Sequence, residues 1–360
     1  MIKLRWIVVA SLTSFLGLAC EPGAVTVEPD DVGAVQDGGG EGGDAAEDSE
    51  DVGGEPADVA DVTDGEDAGQ PPVVSPGFYR ESIEHGGMTR TFSYFVPSTY
   101  EGALASPVLF VFHGGGPGGG EGMRSLGFEE EAASRRTVVV YPDGYEGQWN
   151  DGRGTTQPAL DGVDDVGFVD ALIDWLGAQL TVDEAAIFAT GVSNGGMFSH
   201  RLACELSHSV RGVAPVIAAL PTLLLEDCAA EEAMVMVAIQ GTEDPFIPID
   251  GGDTRHQRFS NLGDGGDVES AQETMAFWAQ EWGCDLPGTV EELAVVDAED
   301  PTRVTRHEVR GCAEGARIDY YVVEGMGHTW PPNEAAAPAI SGASSSQMNA
   351  RDVIWEFFLP

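Results

Sequence analysis

Residues 186–196 have the sequence AIFATGVSNGG, in which an apolar run leads into a G-x-S-x-G motif. The run is partly β-branched and typical of a buried strand, and the residues that follow, MFSHRLAC at 197–204, have apolar positions at helical spacing. A strand, this motif and a helix in that order form a sharp turn that exposes the serine. We therefore predict Ser193 as a nucleophile. The backbone N–H of Asn194, at the start of the helix, is the predicted donor to a developing oxyanion.

A glycine loop supplies the second predicted oxyanion donor. Residues 107–112, PVLFVF, form a continuous apolar run, and HGGGPGGG follows at 113–120. Glycines directly after a buried strand let backbone N–H groups approach a ligand, and we choose the N–H of Gly115. A merely flexible loop is the alternative. A nucleotide site is excluded, because the loop lacks both G-K-[ST] and a G-x-G-x-x-G that opens a helix.

Two more side chains with catalytic chemistry follow buried strands later in the chain. Residues 233–239, AMVMVAI, predict a strand that precedes Asp244, and residues 318–323, IDYYVV, predict one that precedes His328. In this kind of sheet the acid and then the base follow the serine in chain order. We predict Asp244 as the acid and His328 as the base. Asp250 is the rival acid, but it precedes two glycines and is typical of a turn.

The tryptophans near these motifs are candidates for a substrate cleft. Trp149 lies in a loop after a predicted strand, and Trp330 lies close to the predicted base. We predict both as substrate-binding residues, although a core position suits Trp149 equally well. His113, in the glycine loop, is predicted to make a structural hydrogen bond. The remaining histidines are predicted to lie on the surface or in helices, namely His85, His200, His208, His256 and His307.

The pattern of strands and helices indicates the fold class. Besides the runs already described, residues 137–141, TVVVY, and 212–216, GVAPV, are largely apolar, as expected of strands covered on both faces. Residues 166–176 form an amphipathic helix, and Asp164 and Asp165 stand at its N-terminus, where acids stabilise the helix dipole. The chain therefore predicts an α/β protein with a mostly parallel central sheet and helices on both faces.

The first twenty residues have the pattern of an export signal. Lys3 and Arg5 precede an apolar run that is too short to span a membrane. The run ends in LGLAC at 16–20, which resembles a bacterial lipoprotein signal whose cysteine becomes the lipidated N-terminus. We expect residues 1–20 to be a signal peptide and Cys20 to anchor the protein to a membrane, outside the cell or in the cell envelope. Plain secretion, with Cys20 removed or idle, is the alternative.

Residues 21–75 differ in composition from the rest of the chain. Gly, Asp, Glu, Ala and Val dominate this segment, which contains no Lys or Arg. Such a segment cannot bury enough apolar surface to fold, and its charges repel each other. We predict an acidic disordered tether at 21–75 and a catalytic domain at 76–360.

The charge of the chain excludes some partners. The formal net charge is −44 at pH 7 over 360 residues. So strong a negative charge argues against binding to nucleic acid or to other anionic polymers. It favours a neutral substrate.

The chain has five cysteines, of which Cys20 is the predicted lipid site. The other four are Cys204, Cys228, Cys284 and Cys312. An even number in an exported chain predicts disulfides, and four cysteines allow three pairings. The pairing with two local bridges, Cys204–Cys228 and Cys284–Cys312, is favoured. Free buried thiols are the alternative. No metal site is predicted, because no pair has C-x-x-C spacing and no histidine stands beside any of the four.

Six motifs in order give the chain a resemblance to a known group. They are HGGG at 113–116, YPDG at 141–144, WNDGR at 149–153, GVSNGGM at 191–197, GTED at 241–244 and GHTWP at 327–331. Together they look like the secreted poly(3-hydroxybutyrate) depolymerase and feruloyl esterase group, over essentially all of residues 76–360. The sequence departs from the group at three positions. It has Gln240 where the group often has His, Ile249 where the group often has Tyr, and Met326 where the group often has Gly.

The resemblance implies a fold, a mechanism and a substrate class. It implies the α/β-hydrolase fold, with Ser193 as nucleophile, His328 as base and Asp244 as the acid that orients it, and it supports the two local disulfides. The implied reaction is ester hydrolysis through an acyl-enzyme, with no metal or organic cofactor. We expect the protein to be a monomer. We expect polyhydroxyalkanoate polymers or oligomers as substrate, with feruloyl or acetyl xylan esters of plant polysaccharide as the alternative. An inactive, lipid-anchored binding protein is the alternative of another class.

Overall fold

The computed structural model describes residues 74–228, 230–259, 261–333 and 337–360. The predicted signal peptide, Cys20 and all but the last two residues of the predicted tether lie outside these described residues. Within the described part of the chain, none of the helices is both long and apolar enough to cross a membrane.

Strands of the described residues form one large sheet and one small one. They are β1 (Gly77–His85), β2 (Met88–Val96), β3 (Ser106–Phe112), β4 (Val138–Pro142), β5 (Val182–Val192), β6 (Gly212–Val216), β7 (Val235–Gly241), β8 (Gly252–Asp253), β9 (Asp267–Val268), β10 (Asp285–Glu292), β11 (Arg303–Arg310) and β12 (Arg317–Glu324). The large sheet has the order β1-β2-β4-β3-β5-β6-β7-β12-β11-β10. Its central strands, from β4 to β12 in that order, are parallel, and antiparallel pairings extend both edges. β8 and β9 pair separately.

Helices cover both faces of the large sheet. They are α1 (Phe128–Arg135), α2 (Gln157–Leu160), α3 (Asp165–Gln179), α4 (Asn194–Glu205), α5 (Leu224–Asp227), α6 (Ala271–Glu281), α7 (Pro338–Ser341) and α8 (Ala350–Phe358). Alternate residues of β3 point to opposite faces, so Phe110 joins an apolar layer with α3, α4 and α6, whereas Leu109 joins a second layer with α1 and α8. The predicted α/β architecture, with a mostly parallel sheet and helices on both faces, is confirmed.

The carboxyl ends of the parallel strands meet at one edge of the sheet. The glycine loop follows β3, and Ser193 follows β5 directly. Asp244 comes three residues after the end of β7, and His328 comes four residues after the end of β12. Because these strands are parallel and close in the sheet order, all of the predicted catalytic segments lie at the same edge.

The two acids at the start of α3 have different surroundings. Asp164 is the N-cap, and its side chain accepts a hydrogen bond of 2.9 Å from the N–H of Gly167. Asp165 is fully buried and pairs with Arg90 at 2.7 Å. It therefore ties α3 to β2 in addition to standing in the first turn of the helix.

The four remaining cysteines form two disulfides. Cys204, in α4, pairs with Cys228, which follows α5, and Cys284, after α6, pairs with Cys312, before β12. This is the local pairing that the sequence favoured. The bridges join segments that flank the sheet and close loops of 24 and 28 residues.

Candidate active site

Ser193 lies in a strained turn between β5 and α4. Its backbone has φ 55° and ψ −118°, a conformation that costs a non-glycine residue about 1–3 kcal/mol. The flanking glycines allow the turn to close. A Cβ on Gly191 would lie 2.4 Å from the backbone of Gly195, and a Cβ on Gly195 would lie 2.4 Å from the carbonyl oxygen of His113. The sharp turn predicted from G-x-S-x-G is present, and close backbone approach explains both glycines.

The structure brings the three predicted catalytic side chains into one row. Nε2 of His328 lies 2.9 Å from Oγ of Ser193, and Nδ1 of His328 lies 2.7 Å from Oδ2 of Asp244. In this arrangement the imidazole can accept the serine proton at Nε2 while the carboxylate holds Nδ1–H. The rival acid, Asp250, is exposed and makes no contact of this kind among the described residues.

The position of Asp244 is fixed from both sides. Its side chain is fully buried, and its second oxygen, Oδ1, accepts hydrogen bonds of 2.8 and 2.9 Å from the N–H groups of Phe246 and Ile247. Oδ2 is thereby left for His328. The ring of Phe246 also packs 5.0 Å from the His328 ring, centre to centre. The imidazole is therefore held by a carboxylate along its edge and by an aromatic ring beside it.

The two predicted oxyanion donors lie beside the nucleophile. Asn194 is the first residue of α4, so its N–H has no acceptor within the helix. Gly115 lies against it, since a Cβ on Gly115 would be 3.9 Å from the Cβ of Asn194. Both residues line the same cavity as Ser193 and His328. This placement suits the role predicted for the two backbone N–H groups, which stays a prediction.

A buried polar network holds Asn194, and sequence reasoning missed it. The Asn194 side chain accepts from the N–H of Trp149 at 2.8 Å and donates to Oδ2 of Asp151 at 2.6 Å. Asp151 is fully buried and forms an ion pair of 2.7 Å with the equally buried Arg153. WNDGR at 149–153 was visible as a motif, but its partner, Asn194, lies more than 40 residues away.

Neither tryptophan predicted to bind substrate lies in the cavity. Trp149 has no exposed surface, stacks 5.1 Å from Phe198 and donates its ring N–H to the carbonyl of His113. Trp330 is 7% exposed and packs against Phe128 of α1. Both predictions are wrong, because each indole finds an apolar partner beneath the loop that carries it. The two side chains support the site from within the core.

Three histidines outside the row, His113, His200 and His256, have structural contacts. Nε2 of His113 accepts from the N–H of Gly144 at 2.9 Å and Nδ1 lies 2.7 Å from the carbonyl of Gly114, as predicted for a structural histidine, and burial lowers its pKa. His200 lies in α4 but is fully buried, and His256 is 3% exposed. His256 is therefore not on the surface, and it packs against Phe246 beside the site.

A cavity of about 460 Å³ opens over Ser193, and its lining has two parts. The apolar part, next to His328, consists of Met197, Phe246, Ile247 and Ile340. The polar part, next to Gly115, consists of Gln148, Arg153, Thr254 and Asp264. Within the described residues, no cluster of His, Cys, Asp and Glu has the arrangement of a metal site.

Comparison with known proteins identifies relatives by sequence. No protein-family model matches the chain. It is 28% identical over 295 residues to the putative esterase NocK of Nocardia uniformis, covering 80% of this chain and 84% of that one. It is 25% identical over 284 residues to feruloyl esterase D of Neurospora crassa, covering 76% and 82%. It is 28% identical over 200 residues to feruloyl esterase C of Emericella nidulans, covering 52% and 69%.

A solved structure supports the fold. The acetyl xylan esterase from Aspergillus awamori superposes with a TM-score of 0.51 at 13% identity, covering 78% of this chain and 98% of that one. At this identity the likeness shows the fold alone. The predicted α/β-hydrolase fold and the resemblance to esterases are confirmed. The predicted enzyme class, carboxylic ester hydrolase, is confirmed as well.

Proposed function

We propose that this chain is an exported serine esterase that hydrolyses neutral carboxylic esters through an acyl-enzyme. The observation that carries the proposal is the row in which His328 lies 2.9 Å from Ser193 and 2.7 Å from Asp244. Each distance is within hydrogen-bond reach of the proton that must move. The alternative, an inactive binding protein, would need neither this hydrogen-bonded row nor the strained backbone of Ser193.

The first half of the proposed reaction forms the acyl-enzyme. Oγ of Ser193 attacks the ester carbonyl as its proton passes to Nε2 of His328, and Asp244 stabilises the resulting imidazolium. The carbonyl oxygen gains negative charge and receives hydrogen bonds from the N–H groups of Asn194 and Gly115. The imidazolium then gives its proton to the alcohol oxygen, the bond to the carbonyl carbon breaks, and the alcohol leaves.

The second half releases the acid. Water enters, loses a proton to Nε2 of His328 and attacks the acyl carbon, again with the oxyanion facing Asn194 and Gly115. The bond to Oγ breaks, Ser193 recovers its proton and the carboxylic acid departs. Both halves use only these three side chains, the two backbone N–H groups and water.

The proposed substrate is a hydroxycinnamoyl ester such as a feruloyl group on plant polysaccharide. Relatives named feruloyl esterase support this choice, and so does Phe246, an aromatic ring in the apolar part of the cavity. The strong negative charge of the chain favours a neutral ester. Polyhydroxyalkanoate, the first expectation from the sequence, stays a prediction that the same assay tests.

The place of action is proposed to be outside the cell or in its envelope. Two disulfides suit an oxidising compartment. Anchoring through a lipid on Cys20 rests on the LGLAC pattern alone. Labelling cells with a fatty-acid probe and comparing the chain with a Cys20→Ala variant tests it.

The experiment compares ester hydrolysis by the full chain and by Ser193→Ala. Substrates are 4-nitrophenyl acetate, methyl ferulate, acetylated xylan and a 3-hydroxybutyrate oligomer, and Ser134→Ala, an exposed serine of α1, is the matched control. We expect turnover that the control keeps and Ser193→Ala loses, with methyl ferulate preferred. If the chain prefers the 3-hydroxybutyrate oligomer, polyhydroxyalkanoate replaces the hydroxycinnamoyl ester as the proposed substrate. Turnover of none of these esters would favour the binding protein.

A further inference from the structure

The polar part of the cavity contains one side chain, Arg153, most of whose hydrogen bonds are made within the protein. Arg153 has five N–H groups, and four of them donate hydrogen bonds, to Asp151, Thr254 and Gly265. Its remaining N–H side faces Asp264, whose carboxylate lies 3.7 Å away. Thr254 is also satisfied, since its hydroxyl accepts from Arg153 and donates to the carbonyl of Gly265. Arg153 therefore keeps one N–H, on the side that faces Asp264, and Thr254 keeps no donor for a substrate.

Two groups on the same wall do have unused capacity. Oε1 of Gln148 accepts from the N–H of Gln157 at 3.0 Å, which leaves Nε2 as a free donor. The Asp264 side chain is 34% exposed, and among the described residues its carboxylate accepts no hydrogen bond. Both groups lie beside Gly115, because a Cβ on Gly115 would be 3.8 Å from Oδ2 of Asp264 and 3.9 Å from Nε2 of Gln148. A donor and an acceptor thus face one small space next to the proposed oxyanion donor.

We infer that Gln148 and Asp264 form a subsite for a hydroxyl group of the substrate. A hydroxyl can donate to the Asp264 carboxylate and accept from Nε2 of Gln148 at the same time, and it needs both. A cation is disfavoured because Arg153 already lies against the carboxylate, and an anion is disfavoured by the carboxylate itself. The inference rests on the proposed function, whose esters carry hydroxyls on either the acid or the alcohol.

The glycine at 115 leaves room for this hydroxyl. Nothing in the surrounding structure prevents a Cβ there, since its closest neighbours would be at ordinary contact distance. A methyl group would instead occupy the space between Gln148 and Asp264. The open space is therefore available to a ligand.

The test compares pairs of esters that differ only in hydroxyl groups. Methyl 4-hydroxycinnamate and methyl cinnamate test a hydroxyl on the acid, and glycerol monobutyrate and propyl butyrate test hydroxyls on the alcohol. In one pair we expect the full chain to prefer the hydroxylated ester by roughly 10-fold to 100-fold in kcat/KM, the worth of a hydrogen bond to a charged group. The pair that shows the preference identifies whether the subsite binds a hydroxyl of the acid or a hydroxyl of the alcohol.

The variants then assign the preference to the two side chains. Asp264→Ala should abolish the preference, Gln148→Ala should reduce it, and Asp250→Ala, an exposed aspartate outside the cavity, should leave it unchanged. No preference in either pair, or a preference that survives in Asp264→Ala, would overturn the inference. Asp264→Asn, which keeps the size of the side chain, replaces Asp264→Ala if that variant does not fold.

A binding measurement separates this inference from the proposed function. Calorimetry compares both hydroxylated esters on Ser193→Ala, with and without Asp264→Asn. Weaker binding of one of them to the double variant supports the subsite, and equal binding of both contradicts it. If Ser193→Ala hydrolyses 4-nitrophenyl acetate as fast as the unaltered chain, the proposed function fails, and the binding comparison still decides the subsite.

Discussion

Asp151 accepts a hydrogen bond of 2.6 Å from the side-chain amide of Asn194, the residue that follows the nucleophile. Both residues are buried, and the carboxylate is neutralised by Arg153 at 2.7 Å. The network therefore fixes the start of α4, and with it the N–H proposed to bind the oxyanion, from a segment some 40 residues earlier in the chain. A loop and a helix that are distant in sequence are locked together at the reacting centre.

Replacing Asp151 by Asn should damage turnover more than binding. The change leaves the buried Arg153 short of its partner, which typically costs about 3–5 kcal/mol of stability, and releases the side chain of Asn194. We expect kcat to fall by up to about 10²-fold and KM to change less, because Asn194 carries a proposed oxyanion donor, whereas Arg153 in the cavity wall keeps its hydrogen bonds to Thr254 and Gly265. Kinetics and thermal unfolding measure the two effects. Asp253→Asn, which breaks the exposed pair with Arg255, is the control and should change neither. Equal losses in kcat and affinity would contradict the assignment.

Two glycines of the site should respond differently to alanine. Gly195→Ala places a Cβ 2.4 Å from a backbone oxygen, so the turn cannot close and Ser193-dependent hydrolysis should disappear. Gly115→Ala meets its neighbours at 3.8 Å or more, so the thermal transition should stay at its original temperature while the cavity becomes narrower. Circular dichroism melting and ester hydrolysis check the pair. An active Gly195→Ala variant would show that the turn is not constrained as described.

Acid should destabilise the fold through His200. This side chain is fully buried, accepts a hydrogen bond from the ring N–H of Trp278, and has a pKa lowered by burial to about 3. The unfolded chain binds its proton near pH ~6.5, so between pH ~6.5 and ~3 it binds more protons than the folded chain. Its contribution to stability is therefore complete above pH ~6.5 and is lost at up to ~1.4 kcal/mol per pH unit as the pH falls.

Comparing two histidine variants isolates this effect. His200→Gln should flatten the dependence of the free energy of unfolding on pH between ~6.5 and ~3, and His208→Gln, an exposed histidine, should leave it unchanged. Denaturant titrations at several pH values provide the measurement. If the free energy of unfolding depends on pH equally in both variants, His200 does not titrate in this way.

Removing one disulfide should weaken the fold measurably. The bridge between Cys204 and Cys228 closes a loop of 24 residues, which corresponds to about 3 kcal/mol in the chain-entropy model. A double variant, Cys204→Ala with Cys228→Ala, should lose about this much free energy of unfolding. Reductant should lower the stability of the unaltered chain further than that of the variant, because the variant has one bridge fewer to lose. Equal sensitivity to reductant would indicate that this bridge does not form.

The row of catalytic candidates was predictable because each member lies within four residues of the end of an apolar strand. Ser193, Asp244 and His328 come after β5, β7 and β12, and parallel strands deliver their carboxyl ends to one edge. Asp250 has the same chain order as Asp244, but it precedes two glycines and is typical of a turn. The edge strands had no such signal. β10 is largely exposed and contains Pro287, so it lacks both the apolar run and the alternation that predict a strand.

The polar side of the cavity was not predictable from local patterns. Arg153 reaches Gly265 across more than 100 residues, and Asp264 stands in a glycine-rich segment that resembles a plain turn. The prediction that Trp149 binds substrate was wrong for a similar reason. Whether its indole points into a cleft or into the core depends on Phe112 and Phe198, which pack against it from other elements. Tertiary contacts of this kind produce no residue spacing that could be recognised in the sequence.

Covalent labelling of the full chain by a fluorophosphonate tests the central claim most directly, because the reagent reacts with a serine that a histidine activates. Mass spectrometry of the intact protein and of its peptides locates the label. The account predicts one adduct on Ser193 that is absent in Ser193→Ala and forms far more slowly in His328→Ala. An unlabelled chain, a label elsewhere, or labelling of Ser193 at the same rate without His328 would contradict it.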